Sequence, residues 1–193
     1  MKSFRLFLLL LAATPSFAQN THAWEFFGGY SLQRSNVREF YKSTPIIYSS
    51  RYVNENLNGW TFSVTENMNR RKVGGTLEVS GHYKTPVLQG VPSRQRIHSL
   101  MYGPRFSLKK AGGVRPFAHV LVGIAHAEVR VTPTGPHFSD FAFAAAAGGG
   151  VDVSLGRKFA VRAFEADYFR ANVLNAKPNA FRASAGIVYY PGK

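Results

Sequence analysis

Apolar and polar side chains alternate with period two through eight stretches of this chain, and strict alternation predicts strands with two unlike faces. The first stretch, 23–31, sets Trp24, Phe26, Gly28 and Tyr30 against Glu25, Phe27, Gly29 and Ser31. In the second, 59–65, Trp60, Phe62 and Val64 oppose Thr61, Ser63 and Thr65. The third, 75–83, sets Leu77, Val79 and Tyr83 against Thr76, Glu78, Ser80 and His82. The fourth, 96–108, opposes Leu100, Tyr102, Phe106 and Leu108 to Ser99, Gly103, Arg105 and Ser107. The others are 115–130, 139–154, 159–169 and 180–190, the seventh being the least regular. Proline and glycine punctuate the gaps: Pro86, Pro92, Gly112-Gly113, Pro133, Pro136, Gly156 and Pro178.

The connections alternate in length. A loop of 27 residues, 32–58, follows the first strand, and the link 66–74 follows the second. Then come 84–95, 109–114, 131–138, 155–158 and 170–179. Eight strands joined by long loops on one rim and short turns on the other predict a closed antiparallel up-and-down barrel with both termini at the short-turn rim.

The N-terminus says where such a barrel would sit. Lys2 and Arg5 precede an apolar run over 6–13, and Ser16-Phe17-Ala18 supplies small residues for a cleavage site. The run is too short to span a bilayer as a helix. Residues 1–18 are therefore expected to be a cleaved export signal, leaving a barrel domain over 19–193. No later stretch has the length and apolarity of a transmembrane helix, so a membrane crossing must use closed strands. The expectation is an all-β, eight-stranded transmembrane barrel, monomeric, in the outer membrane of a Gram-negative bacterium. The soluble alternative, a lipocalin-like barrel, would place the apolar face inside and the polar face in water.

Composition adds two constraints. The chain has no Cys, so an exported barrel must rely on packing and backbone pairing. There are 24 Lys and Arg against 10 Asp and Glu, and without Lys2 and Arg5 the net charge is +12. Such a balance suggests nucleic acid. Export argues against that and points to the phosphates of lipopolysaccharide.

Several segments carry a resemblance. Phe27-Gly28-Gly29-Tyr30-Ser31, Asn58-Gly59-Trp60 and Ser80-Gly81-His82-Tyr83 are among them, with Tyr102-Gly103-Pro104-Arg105-Phe106-Ser107 and Pro116-Phe117-Ala118-His119. Gly148-Gly149-Gly150-Val151-Asp152 and the run 182–188 complete the set. In this order they resemble bacterial outer-membrane β-barrel proteins of the porin-family or OmpA/OmpX-type eight-stranded domain, over nearly the whole exported chain. The resemblance implies a fold, a membrane and an encounter with the outer-membrane assembly machinery. It implies no single activity. Such barrels end at or near an aromatic residue; here three residues follow Tyr190.

Candidate residues follow from the faces. Trp24, Trp60, Tyr102, Phe141, Phe143 and Tyr189 are expected to form aromatic girdles at the membrane interfaces. Glu25, Glu78, Arg105, Asp152, Glu165, Asp167 and Arg182 are expected to point into the lumen. A narrow barrel has room only for its own side chains, so these charges should pair. Arg182 with Glu165 and Asp167, and Arg105 with Glu78, are the expected pairs. Arg162 shares parity with Phe164 and should face outward unless a bulge changes its face.

Lys84, Arg94, Arg170 and Lys177 are candidate lipopolysaccharide contacts. Six His residues show no metal spacing, and no cofactor or metal site is expected. His137-Phe138-Ser139, with Glu128 nearby, resembles the His-x-Ser arrangement of outer-membrane lipid A deacylases. The reading is a plugged barrel with a structural or surface-interaction role and no catalysis. A narrow diffusion channel is the alternative, and a lipid A-modifying enzyme the second alternative.

Overall fold

The computed structural model describes residues 24–42, 48–68, 72–85, 87–88, 91–108, 111–131, 137–171 and 179–191. The expected export signal and Lys177 lie outside these. Nine strands follow in order: β1 Trp24–Lys42, β2 Tyr48–Met68, β3 Val73–Lys84, β4 Val87–Leu88, β5 Val91–Ser107, β6 Val114–Val131, β7 His137–Ser154, β8 Phe159–Ala171 and β9 Asn179–Tyr189. All pairings are antiparallel. β9 returns to β1, and β3 pairs with β5 past the two-residue β4. Eight strands therefore close a barrel, and β4 is a small hairpin partner of β5 at the long-loop rim. Closure satisfies the backbone polar groups along the wall, as a chain in hydrocarbon requires.

The two faces divide as the alternation predicts. Phe62, Leu77, Leu100, Val122, Ile124 and Ile187 are exposed on the outside. Thr61, Thr76, Ser80, Ser99 and Ser184 are buried inside. An apolar exterior around a polar interior is the reverse of a lipocalin-like carrier. Such a continuous apolar surface needs a lipid environment.

Two features depart from the expectation. The stretch 32–58 is mostly a hairpin rather than a loop. The β1–β2 register runs on from Leu32↔Asn58 to Lys42↔Tyr48. β9 accompanies β1 only as far as Arg34↔Phe181, and β3 accompanies β2 only to Asn58↔Tyr83. The hairpin thus rises above the wall. The second departure is a bulge in β8. Val151 pairs with Phe164 and Asp152 with Arg162, which leaves Ala163 extra. Ala163 and Phe164 both face outward, so Arg162 on one side and Glu165 on the other both turn inward. Arg162 is 1% exposed, which corrects its outward assignment.

The lumen has two layers. Toward the long-loop rim Leu57, Ile97, Met101, Leu121, Phe169 and small alanines form one buried apolar cluster. Toward the short-turn rim the interior is charged. β7 contributes Ala144, Ala146, Gly148 and Gly150 to the inner face, and their small size makes room for side chains from other strands. A Cβ on Gly148 would lie 2.1 Å from Asp167 Oδ1, and one on Gly150 would lie 2.9 Å from the Phe117 ring.

Candidate functional site

The charged half of the lumen draws on strands around the whole circumference. Glu25 comes from β1, Glu78 from β3, Arg105 from β5, and Arg115 and His119 from β6. Asp152 comes from β7, Arg162, Glu165 and Asp167 from β8, and Arg182 from β9. All are buried.

The network has two lobes. In the lobe nearer the short turns, Arg105 Nη1 lies 2.5 Å from Glu25 Oε1 and its Nη2 donates to Asp152 Oδ2 at 2.8 Å. Arg162 donates Nε to Asp152 Oδ1 at 2.8 Å, Nη1 to Glu165 Oε2 at 2.6 Å and Nη2 to Glu25 Oε1 at 3.2 Å. Arg115 Nη2 donates to Glu25 Oε2 at 3.1 Å and to the Tyr190 hydroxyl. The guanidiniums also lie over aromatic rings: Arg105 is 3.8 Å from the Phe117 centroid, and Arg162 is 4.0 Å from that of Phe27. A guanidinium suits this position because its planar fork reaches several carboxylates while its face packs on a ring.

In the second lobe Arg182 Nη2 lies 2.5 Å from Glu78 Oε1 and 2.6 Å from Asp167 Oδ2. Its Nη1 donates to Ser80 Oγ at 3.3 Å. His119 joins the lobes, with Nε2 2.7 Å from Asp167 Oδ1 and 3.9 Å from Glu165 Oε1. Smaller pairs continue upward: Ser80 with Ser99 at 2.8 Å, and His82 Nε2 with Ser31 Oγ at 2.9 Å.

The pairing differs from the sequence expectation in part. Arg182 does meet Asp167, its direct cross-strand partner. Glu165, however, belongs to Arg162, and Glu78 belongs to Arg182 rather than to Arg105. Arg105 reaches across the lumen to Glu25 instead. Partners across an interior depend on strand stagger as well as on neighbours in the sheet. Arg115, Tyr190, Phe27 and Phe117 were not singled out. Arg115 and Phe117 share the parity of His119 in one alternating strand, so that signal was present.

His119, Glu165 and Asp167 offer three potential metal ligand atoms within 4.8 Å of one another. Both carboxylates are already engaged by arginines, so the trio reads as part of the ion network.

The outer surface holds the remaining candidates. Trp24, Trp60, Tyr102, Phe141, Phe143 and Tyr189 are all exposed on the outward face. Arg94 and Arg170 are exposed near the long-loop rim. Lys84 is half-buried and its ammonium lies 2.5 Å from Glu55, so it is not a free rim cation. His137 Nε2 lies 3.2 Å from Glu128 Oε1, and Ser139 is the direct partner of Glu128 across β6 and β7. Among the described residues no hydrogen bond joins Ser139 to His137, and Glu128 is shared with Arg96 and Arg130 at 3.7 Å each. The Ser–His step of a nucleophilic relay is not assembled.

The sequence model of a family described as the outer membrane protein beta-barrel domain matches residues 4–188. Among solved structures, Neisserial surface protein A is similar with a TM-score of 0.62 and 10% identity, over 87% of this chain and 97% of that one. Ail, the attachment invasion locus protein of Yersinia pestis, has a TM-score of 0.56 and 16% identity, over 86% of this chain and 97% of that one. Ail in complex with the heparin analogue sucrose octasulfate gives 0.55 and 15%, over 86% and 98%. At these identities the likeness is one of fold. A comparison with curated proteins finds no match.

Proposed function

The chain belongs to the outer membrane protein β-barrel domain family, and on that premise we propose that it is a plugged barrel acting in structure and surface interaction rather than in conduction or catalysis. The observation that carries this reading is the closed lumen. Four guanidiniums and five carboxylates are linked from β1, β3, β5, β6, β7, β8 and β9, and Thr65 of β2 accepts a contact from Arg105 Nη1 at 3.5 Å. Above them lies the apolar cluster that includes Leu57, Ile97, Met101, Leu121 and Phe169. An ion would have to break paired, buried charges and then cross an apolar plug.

Residues 1–18 are assigned as the export signal ahead of Gln19, and the assembly machinery of the outer membrane as the agent of insertion. The long-loop rim is the exterior surface. Arg34, Arg94 and Arg170 are exposed there, and they make a rim suited to polyanions, first among them lipopolysaccharide phosphates. Ail, a barrel of the same fold, is known in complex with a sulfated sugar, which supports the same class of ligand.

The test is conductance of the purified barrel in planar lipid bilayers. The expected result is no unitary current above the lipid baseline. Sustained unitary conductance would replace this reading with the narrow channel.

A further inference from the structure

We propose that the outward face of β5–β6–β7, just above the apolar belt, binds the phosphate groups of a phosphorylated glycolipid in the outer leaflet. The proposal rests on the reading of an outer-membrane barrel with its long-loop rim outside, and it names a specific site on that surface.

The site follows from register. Cross-strand pairing sets residues of the three strands side by side in rows, each two residues further along the strands than the last, and strand tilt makes each row run obliquely to the membrane plane. The row Leu100, Ile124 and Phe143 is fully apolar and exposed, so it faces acyl chains. The row above it is His98, His126 and Phe141. Then come Arg96, Glu128 and Ser139, and above these Arg94, Arg130 and His137. Two residues of strand rise about 6.6 Å along the strand, which is about 5 Å along the membrane normal at a tilt of about 40°. The headgroup zone on each side of the hydrocarbon is of the same order, about 5–8 Å. The histidine row therefore falls among headgroups, with the arginines at their outer edge.

The electrostatics of the patch are unbalanced. Arg94 stands directly opposite Arg130, an arrangement that like charges disfavour. His98 likewise stands opposite His126. The one acid on this face among the described residues is Glu128. It is shared by Arg96 at 3.7 Å, Arg130 at 3.7 Å and His137 at 3.2 Å. The two arginine contacts are too long for charge-assisted hydrogen bonds, so both guanidiniums keep donors to spare. A phosphate monoester brings a charge of about −1.5 to −2 and three acceptor oxygens, which suits two or three convergent arginines.

Polar and apolar halves of the patch are continuous, and that favours a lipid over a free anion. His126 stacks on Phe141 at 4.2 Å between centroids. His98 is held by the Tyr83 hydroxyl at 2.9 Å, and Tyr83 in turn takes the Trp60 indole N–H at 3.3 Å. Arginines thus sit directly above a row of rings, and the rings sit directly above the lipid-facing side chains. A molecule with phosphates at one level and acyl chains at the next matches this order.

The full barrel is reconstituted in phosphatidylethanolamine nanodiscs doped with bis-phosphorylated lipid A, with its dephosphorylated form, or with neither but with millimolar inorganic phosphate. Bound lipid is read by native mass spectrometry. The expected result is retention of bis-phosphorylated lipid A, at least tenfold weaker retention of the dephosphorylated lipid, and no adduct of inorganic phosphate. The double change Arg96→Gln, Arg130→Gln should lower retention tenfold or more. Arg157→Gln with Lys158→Gln, at the opposite rim, should leave it unchanged, and Glu128→Gln should strengthen it several-fold. Equal retention of the two lipids, equal binding of inorganic phosphate, or no effect of the double arginine change overturns the proposal. Failure of the membrane reading shows separately, in fractionated cells before any reconstitution. There the protein would be absent from outer membranes and would lack a boiled-against-unboiled mobility shift on SDS gels.

Discussion

Arg162 is the residue on which most of the lumen converges, with Glu25, Asp152 and Glu165 all within hydrogen-bonding distance of its guanidinium. Removing one member of a buried ionic group is costly because its partners stay behind without compensation, typically by about 3–5 kcal/mol. Arg162→Met should therefore destabilise the barrel by about that much, read as a lower urea midpoint of the protein refolded in micelles. An unchanged midpoint would mean the network carries no stability. The residue scale is also where the sequence was least complete. Inward parity identified Glu25, Glu78, Arg105, Asp152, Glu165, Asp167 and Arg182, since alternation alone assigns a face. It misassigned Arg162 because one extra residue, Ala163, stands between it and Phe164 and reverses parity. It also paired Arg105 with the wrong carboxylate, since contacts across a lumen are set by stagger that no single strand encodes.

Elements were legible wherever their two faces meet different surroundings. Lipid on one side and a packed lumen on the other impose alternation, which most wall strands carry; β7 over 144–150, all Ala and Gly, and the bulged β8 carry it least. The upper part of the β1–β2 hairpin stands above the wall, where neither face is required to be apolar, so 32–58 has no alternation to read. The β8 bulge makes the same point in a form that can be tested. Val151 and Asp152 are consecutive and pair with Phe164 and Arg162, while Ala185 faces Ala163 and Phe164 together. Deleting Ala163 would restore a regular ladder and keep Arg162 and Glu165 inward. Deleting Ala166 instead would turn one side of β8 inside out. The Ala163 deletion should retain the unboiled mobility shift and the Ala166 deletion should lose it. Loss in both would show that the bulge itself is required for closure.

At the scale of the whole molecule, the ion network joins strands that are not neighbours in the sheet. Glu25 on β1 meets Arg105 on β5, Arg115 on β6 and Arg162 on β8. Those contacts do not exist in an open sheet, and they cannot form until β9 has returned to β1. The order of events during folding follows from this. The charges must be carried into place by backbone pairing and cohere only at the end, so they belong to the native state and not to the barrier before it. Glu25→Gln and Arg105→Met should accelerate unfolding and leave the folding rate nearly untouched, with φ-values close to zero in chevron analysis. A matching fall in folding rate would place the network in the transition state. The interior thus works as a clasp rather than a template, and what it governs is how long a finished barrel stays shut.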